Sequence, residues 1–510
     1  MAVMLDGETV FSAGAGLANL EYDVPITPAT VFHSASLAKQ FTAFAVLLLV
    51  VEERVALEDD IRRYVPELQD TGEVVTIRHL LDHMSGLRDQ WTLLGMAGWR
   101  GDDVKTDDQI VALLSRQRGF NFAPGEQYQY SNSGYTLLAR MVERVSSQSF
   151  SSFTRERIFT PLGMASTHFH DDRSQLIPNR AYSYSAVGEH YTKLGLNFAT
   201  VGPTGLQTTV EDLLKWARNF ETRVVGSAAV FRLMRQRSVA ADGTPAVFAR
   251  GQEYRVYNGL QTWSHGGRDA GYRAFLLRIP DEQFAVAVLS NRADTDAARI
   301  AFAVADHYLG QRAAYKNPQP TPWQPATAAE LAAYQGVYEI FPGLLFAITA
   351  EAGKLYFAPL QGGQAVAMPQ VGQGRFMLNP QADIAIEFPS AEQGAVESFS
   401  YVIGLNGALT AQRVSLQPFD PEGVEAAEYT GVYFSDELMI VYDLRVENGQ
   451  LMAVHARLPP IALTPYQADV FSGDSANFQK IEFMRDASGR VSACRVSGAL
   501  VNDVVFQRLE

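Results

Sequence analysis

Ser36 and Lys39 stand three residues apart in "VFHSASLAKQFTAFAVLLLVVEE", residues 31–53, at the mouth of an apolar run from Phe41 to Val51. The run reads as a buried helix, and helical positions i and i+3 share a face. A serine in the first turn points its hydroxyl out of the helix N-terminus, where the helix dipole favours negative charge. A lysine beneath it is desolvated by the apolar run. Burial lowers an amine's pKa, so such a lysine can be neutral and accept the serine's proton. The pair therefore fits an activated nucleophile. On its own S-x-x-K is common, and a capping serine followed by a lysine produces it without any chemistry.

Two further stretches carry groups of the right type. In "APGEQYQYSNSGYTLLARM", Tyr130 and Asn132 are i and i+2, so an extended backbone points both the same way. Tyr130 can shuttle a proton and Asn132 can hold a carbonyl; the plainer reading is a Ser131 or Asn132 cap on a helix beginning near Gly134. In "TWSHGGRDAGYRAF", His265, Gly266 and Gly267 lead into a strand. Glycine weakens a strand unless another backbone comes close, which a substrate lying along the edge would do. The plainer reading there is a turn with a structural histidine. "HFHDD", residues 168–172, has a metal-like look but reads as a surface loop.

These stretches need a scaffold, and the pattern gives one. Hairpins open the chain, with Asp6-Gly7 at the turn, and recur at "YRAFLLRIPDEQFAVAVLSN", turning at residues 280–283. Between them "EDLLKWARNF" and "YTLLARMVERVSSQSF" carry apolar residues at helical spacing. Strands at both ends with helices between predict an α+β domain over residues 1–312, its antiparallel sheet closed by its two termini. "AAYKNPQPTPWQPATAAE" then reads as a stiff proline-rich linker, residues 313–328. The tail is an internal repeat. "YQGVY" at Tyr334 returns as "YTGVY" at Tyr429, "GKLYF" at Gly353 as "GQLMA" at Gly449, "IEF" ending at Phe388 as "IEF" ending at Phe483, and "QRV" at Gln412 as "QRL" at Gln507, always at an offset of 95 or 96. Each copy, 329–415 and 424–510, has length for seven or eight short strands and is predicted to form a small antiparallel β-barrel.

The totals exclude several classes. A 510-residue chain with 47% hydrophobic residues builds large globular cores, and its net charge of -14 with no basic run argues against nucleic acid. One cysteine, Cys494, permits no internal disulfide and no Cys-x-x-Cys zinc site. No apolar run reaches the ~18–20 residues that span a bilayer. No dinucleotide or phosphate loop and no G-x-S-x-G elbow occurs, so no cofactor is implied. No leader precedes the first strand, which leaves either a cytoplasmic location or export with the leader absent from this chain. Oligomeric state leaves no trace in the sequence.

Taken together, S-x-x-K, then Y-x-N, then a basic residue-x-G resembles the signature of the penicillin-recognising serine hydrolases. "ITPATVFHSASLAKQFTA", "TIRHLLDHMSGL", "FAPGEQYQYSNSGY" and "IFTPLGMASTHF" resemble further blocks of the class C β-lactamase-like group, which includes D-aminopeptidases, D-alanyl-D-alanine peptidases and esterases. The resemblance covers roughly residues 1–310. D-aminopeptidases of this group combine a His-x-Gly third motif with two carboxy-terminal antiparallel barrels, so the likeness implies a β-lactamase/transpeptidase-like domain followed by two lipocalin-like barrels.

The resemblance implies Ser36 as nucleophile, Lys39 as its base and Tyr130 as proton relay. It implies an oxyanion hole from the Ser36 and Arg268 N–H groups, with Asn132, His265 and Gly267 orienting the substrate. The implied reaction is acyl-enzyme hydrolysis of small amides, peptides with a D-residue or a free amino terminus, or esters. A β-lactamase or D,D-carboxypeptidase shares the motifs, as does a non-catalytic penicillin-binding sensor. His-Gly-Gly stands where β-lactamases carry Lys-Thr-Gly, whose lysine helps bind the drug's carboxylate, and this argues against strong β-lactamase activity. The family's usual amino-terminal helix is not found before the first strand.

Overall fold

The computed structural model describes residues 1–239, 243, 246–312, 314–315, 323–360, 363–379, 383–390, 394–403 and 408–509. The chain forms two compact units, one of residues 1–90 with 101–318, the other of residues 91–100 with 319–510. Half of the expected linker, residues 313 and 316–322, lies outside the described residues.

The first unit is built on a seven-stranded antiparallel sheet in the order Phe248–Ala249, Gln252–Tyr257, Leu260–Asp269, Tyr272–Ile279, Phe284–Ser290, Ala2–Leu5, Glu8–Ser12. The hairpin read at the start of the chain adds to the strand that ends the region, Val3 opposite Val286, so the two termini do close the sheet. Asp6 and Gly7 both take positive φ, 51° and 79°, as a tight two-residue turn requires. Phe284–Ser290 is buried at six consecutive positions, so both its faces are covered, and helices Val210–Thr222 and Ala297–Leu309 pack against it.

The apolar run is the central helix, Ala38–Val51, buried at every position from Ala38 to Leu49. A helix apolar all round belongs inside a core. The Phe41 ring lies tilted 4.5 Å from Trp216 and 5.4 Å from Phe159, while the Trp216 indole donates to Gln40 Oε1 at 2.8 Å. Ser36 lies just ahead of this helix, in a 3-10 turn Ala35–Leu37.

In the second unit the repeat is structural. Gly431–Ser435 through Val501–Arg508 make a closed eight-stranded barrel, and Gly336–Phe341 through Ala408–Val414 belong to a nine-stranded, nearly closed one. The extra strand comes from a short break, Val366–Met368 and Gln370–Gly372, which forms the two open edges. Equivalent residues do equivalent work. Tyr338 donates to the Tyr334 carbonyl at 2.9 Å and Tyr433 to the Tyr429 carbonyl at 3.0 Å. Arg413 donates to the Ala333 carbonyl and Arg508 to the Glu428 carbonyl. The glycine of Y-x-G-V-Y is needed because a Cβ there would fall 2.3 Å from Arg413 at Gly336, and 2.8 Å from Arg508 at Gly431. The closed barrel leaves a cavity of only about 10 Å³ among Tyr433, Tyr442, Phe478 and Phe506, so side chains fill its interior. Residues 91–100 pack on this barrel: Tyr442 donates to the Met96 carbonyl at 3.0 Å, and Cβ atoms on Gly95 and Gly98 would lie 2.2 Å from Asn477 and 2.3 Å from His455.

Candidate active site

The strand Phe32–His33 delivers the chain into the 3-10 turn that carries Ser36, with Ala35 at φ 50° and buried. The turn is pinned against the third motif. His265, Gly266 and Gly267 lie inside the strand Leu260–Asp269 rather than before one, beyond the end of its pairing with Gln252–Tyr257. A Cβ on Gly267 would sit 2.1 Å from the Ser34 carbonyl oxygen and 3.2 Å from Ala35 Cβ. The close approach that the sequence assigned to a substrate is made here by the protein's own backbone.

Lys39 is fully buried, with Nζ 3.2 Å from Ser36 Oγ, 2.8 Å from Asn132 Oδ1 and 2.9 Å from the Pro203 carbonyl oxygen. A neutral amine has two hydrogens and one lone pair. Asn132 and Pro203 accept the two hydrogens, and the lone pair is left facing Ser36 Oγ. Burial lowers the Lys39 pKa to about 7, although Asp269 and Asp89 pull it upward. Asn132 opens the helix Asn132–Ser146 and is oriented from behind: its backbone N–H and its Nδ2 both donate to Asp89 Oδ2 at 2.8 Å, so Oδ1 faces Lys39. Ser131, at the N-cap position, makes no side-chain capping bond.

Tyr130 hydrogen-bonds the Ser36 side chain, and its ring lies 4.7 Å from Lys39 Nζ. Burial pushes its pKa well above that of a free phenol, so it carries a proton to give. His83 stacks on it at 4.4 Å, and accepts the Ser131 N–H on Nδ1 at 3.1 Å. His265 completes the cluster, 5.5 Å from the Phe248 ring and 6.4 Å from that of Tyr130. Burial, then the nearby Lys39, lowers the His265 pKa to about 3, so its imidazole is neutral at any working pH.

A second group of polar residues adjoins the first. Asp269, at the end of the His265 strand, accepts from Thr204 Oγ1 at 2.6 Å and from His33 Nε2 at 2.9 Å, both on Oδ2. Gln207 Nε2 is 3.3 Å from His33 Nδ1. Arg268 is exposed, opposite Arg273 on the next strand. The site thus gathers Ser36, Lys39, Tyr130 and Asn132, with His265 beside them. Reading the sequence missed Asp89, His83, Pro203, Thr204, His33 and Asp269. His83 stands inside the quoted "TIRHLLDHMSGL", and Asp269 follows His265 by four residues.

Of the expected surface loop, His168 lies instead in the short strand His168–Phe169, while His170, Asp171 and Asp172 follow outside any strand with His170 buried, the two rings 6.2 Å apart. Among the described residues, no group of three or more His, Cys, Asp or Glu is placed to hold a metal ion. None of their helices is long and apolar enough to cross a membrane.

The beta-lactamase family profile matches residues 1–309. The chain belongs to the beta-lactamase family. It is a serine hydrolase, and its relatives share its full length. A D-aminopeptidase of Brucella anthropi is 25% identical over 534 residues, covering 100% of this chain and 95% of the relative. The D-aminopeptidase of Brucella canis is 26% identical over 533 residues, with the same coverage. The fold is similar to that of the octameric penicillin-binding protein homologue from Pyrococcus abyssi, with TM-score 0.59 and 23% identity over 81% of this chain and 95% of that one. It is also similar to that of SurE with D-Leu, with TM-score 0.55 and 22% identity over 81% and 94%.

Proposed function

We propose that the protein is an amidase or aminopeptidase acting on small substrates with an amino-terminal D-residue, through an acyl-enzyme on Ser36. The observation that carries this reading is the Lys39 environment: 3.2 Å from Ser36 Oγ, with both other hydrogen-bonding directions taken by Asn132 and Pro203. Neutral Lys39 takes the Ser36 proton as Oγ bonds to the substrate carbonyl carbon. The Ser36 and Arg268 N–H groups receive the oxyanion, each such donor being worth about 3–4 kcal/mol of barrier. The C–N bond then breaks, with Tyr130 handing a proton to the leaving amine and drawing one from the lysine side. Water repeats the sequence in reverse roles and frees the acid.

The choice of D-residue substrates is supported by the full-length likeness to D-aminopeptidases, barrels included. A β-lactamase reading is disfavoured by His265, which burial keeps uncharged where that activity uses a cation. The test is intact-mass and peptide mass spectrometry after a fluorophosphonate, together with release of p-nitroaniline from D- and L-alanine p-nitroanilide. A Ser36 adduct and faster turnover of the D-isomer support the proposal. Labelling at another serine removes the nucleophile assignment, and equal turnover of the two isomers removes the D-residue assignment.

A further inference from the structure

Two carboxylates lie close enough to Lys39 to raise its pKa, and they differ in one respect. Asp89 is buried and commits Oδ2 to both nitrogens of Asn132. Asp269 has a side chain that is 25% exposed. Its partners Thr204 and His33 both use Oδ2, and Oδ1 accepts no hydrogen bond among the described residues. Gln207 Nε2 lies 3.3 Å from His33 Nδ1, on the other nitrogen of the ring from Asp269. Asp269 is thus held through Oδ2 by buried Thr204 and His33, with buried Gln207 behind His33, and Oδ1 is left without a hydrogen bond among the described residues on a partly exposed side chain.

Its location matters as much as its freedom. Asp269 directly follows Arg268, and its charge is felt by both Lys39 and Tyr130. In an amide of an unblocked amino acid, the α-ammonium is two bonds from the carbonyl carbon. A counter-charge for it must stand beside the reacting carbonyl without touching the base. A partly exposed carboxylate one residue beyond Arg268, not hydrogen-bonded to Lys39 Nζ, fits both conditions.

We propose that Asp269 is the specificity-determining residue that receives the substrate's free α-ammonium group on Oδ1, with Thr204 and His33 holding it in place. The inference rests on the amide-hydrolase reading above, and it restricts the acyl side to residues with an unblocked amino group.

The experiment compares D-alanine p-nitroanilide with its N-acetyl derivative on the full chain, in wild type, Asp269→Asn and Asp269→Glu. Wild type is expected to prefer the free amine. Asp269→Asn should shrink that preference by about 10- to 150-fold, the worth of a hydrogen bond to a charged group. Asp269→Glu should restore part of it. A preference that is unchanged in Asp269→Asn, or a wild type that favours the N-acetyl substrate, overturns the proposal. A second arm does not depend on amide turnover: D-alaninamide and N-acetyl-D-alaninamide compete against hydrolysis of p-nitrophenyl acetate. Weaker inhibition by the free amine alone in Asp269→Asn supports the assignment even if neither anilide is cleaved, in which case only the amide reading fails. Equal weakening of both inhibitors overturns it, since Asp269 then acts on the site as a whole. Fluorophosphonate labelling of Ser36 in each variant checks folding, and the Glu variant decides if the Asn variant is not labelled.

Discussion

Asn132 offers its carboxamide oxygen to Lys39 at 2.8 Å because Asp89 holds the other end of the same amide at 2.8 Å. The polarity of this relay is fixed: a carboxylate accepts only, so Nδ2 must turn toward Asp89 and Oδ1 toward the lysine. The result is an amine with both its hydrogens occupied and its lone pair directed at Ser36. Geometry thus orients the Lys39 amine toward Ser36, and burial lowers its pKa to about 7, the two properties the proposed general base needs.

Replacing Ser36 by alanine should remove ~10⁴–10⁶ of kcat on a p-nitrophenyl ester, the range for losing a hydrolase nucleophile. Ser34→Ala serves as the comparison, since Ser34 is buried with its hydroxyl on the Leu206 carbonyl at 3.2 Å. Steady-state rates of the two variants, with circular dichroism to check folding, decide between the serines. Near-wild-type turnover in Ser36→Ala would move the chemistry elsewhere.

The base makes a signed prediction. Lys39 acts when neutral, and its pKa is about 7, so kcat/KM should rise with pH through that region and level off above it. Asp89 raises the lysine's pKa, so Asp89→Asn should move the limb to lower pH and also lower kcat as Asn132 loses its anchor. Lys39→Arg should be nearly inactive at every pH, because guanidinium does not deprotonate in proteins. A pH–rate profile of the three proteins reads all of this, and a limb that stays put in Asp89→Asn contradicts the electrostatic account.

Gly267→Ala tests the pinning of the nucleophile turn. The new methyl would lie 2.1 Å from the Ser34 carbonyl oxygen, so either the strand or the Ala35–Leu37 turn must move. Displacing a catalytic group by ~1 Å costs on the order of 10²-fold in rate. Overpacking of this kind lowers stability by roughly 1–3 kcal/mol. Thermal unfolding alongside kcat should show both losses. Gly266→Ala is the control, because a Cβ there meets the Phe275 ring at 3.4 Å and the Ala274 carbonyl oxygen at 3.8 Å, ordinary contacts that should be tolerated.

The parts of this site that were legible in the sequence are those carried by local spacing. Ser36 and Lys39 share a face at i and i+3, and the barrel repeat keeps one offset across four landmarks. What the sequence hid is joined across long loops. The Asp89–Asn132 bond spans 43 residues, Lys39–Pro203 spans 164, and His33–Asp269 spans 236, so no window of sequence holds both partners. The helix expected near Gly134 begins two residues earlier, at Asn132, with Ser131 at the N-cap position making no side-chain cap and its N–H donating to His83. The strand count of the first barrel was misjudged for a local reason. Length allowed seven or eight strands, and the ninth arises because Val366–Met368 and Gln370–Gly372, with Pro369 between them, lie at opposite ends of the sheet.

The last prediction concerns residues 91–100, which group with the barrels although they lie within the stretch matched by the family profile. A Cβ on Gly95 or Gly98 would displace the Asn477 or His455 side chain, Gly98 also takes φ 80°, and the Met96 carbonyl accepts from Tyr442 inside the closed barrel. Deleting residues 319–510 leaves this segment without its packing surface. It directly follows Asp89 and Gln90, and Gln90 Oε1 accepts from Thr136 on the helix that Asn132 opens. Loss of order there should therefore loosen the anchor of Asn132 as well as expose the segment itself. The fragment is expected to react with a fluorophosphonate at Ser36 more slowly than the full chain, and to be cut by a nonspecific protease between residues 90 and 101. Gly98→Val in the full chain should reproduce part of the effect, because the new side chain clashes with His455. A fragment that matches the full chain in both labelling rate and protease resistance would mean that residues 91–100 hold their shape without the barrels, and that the barrels leave the nucleophile's environment alone.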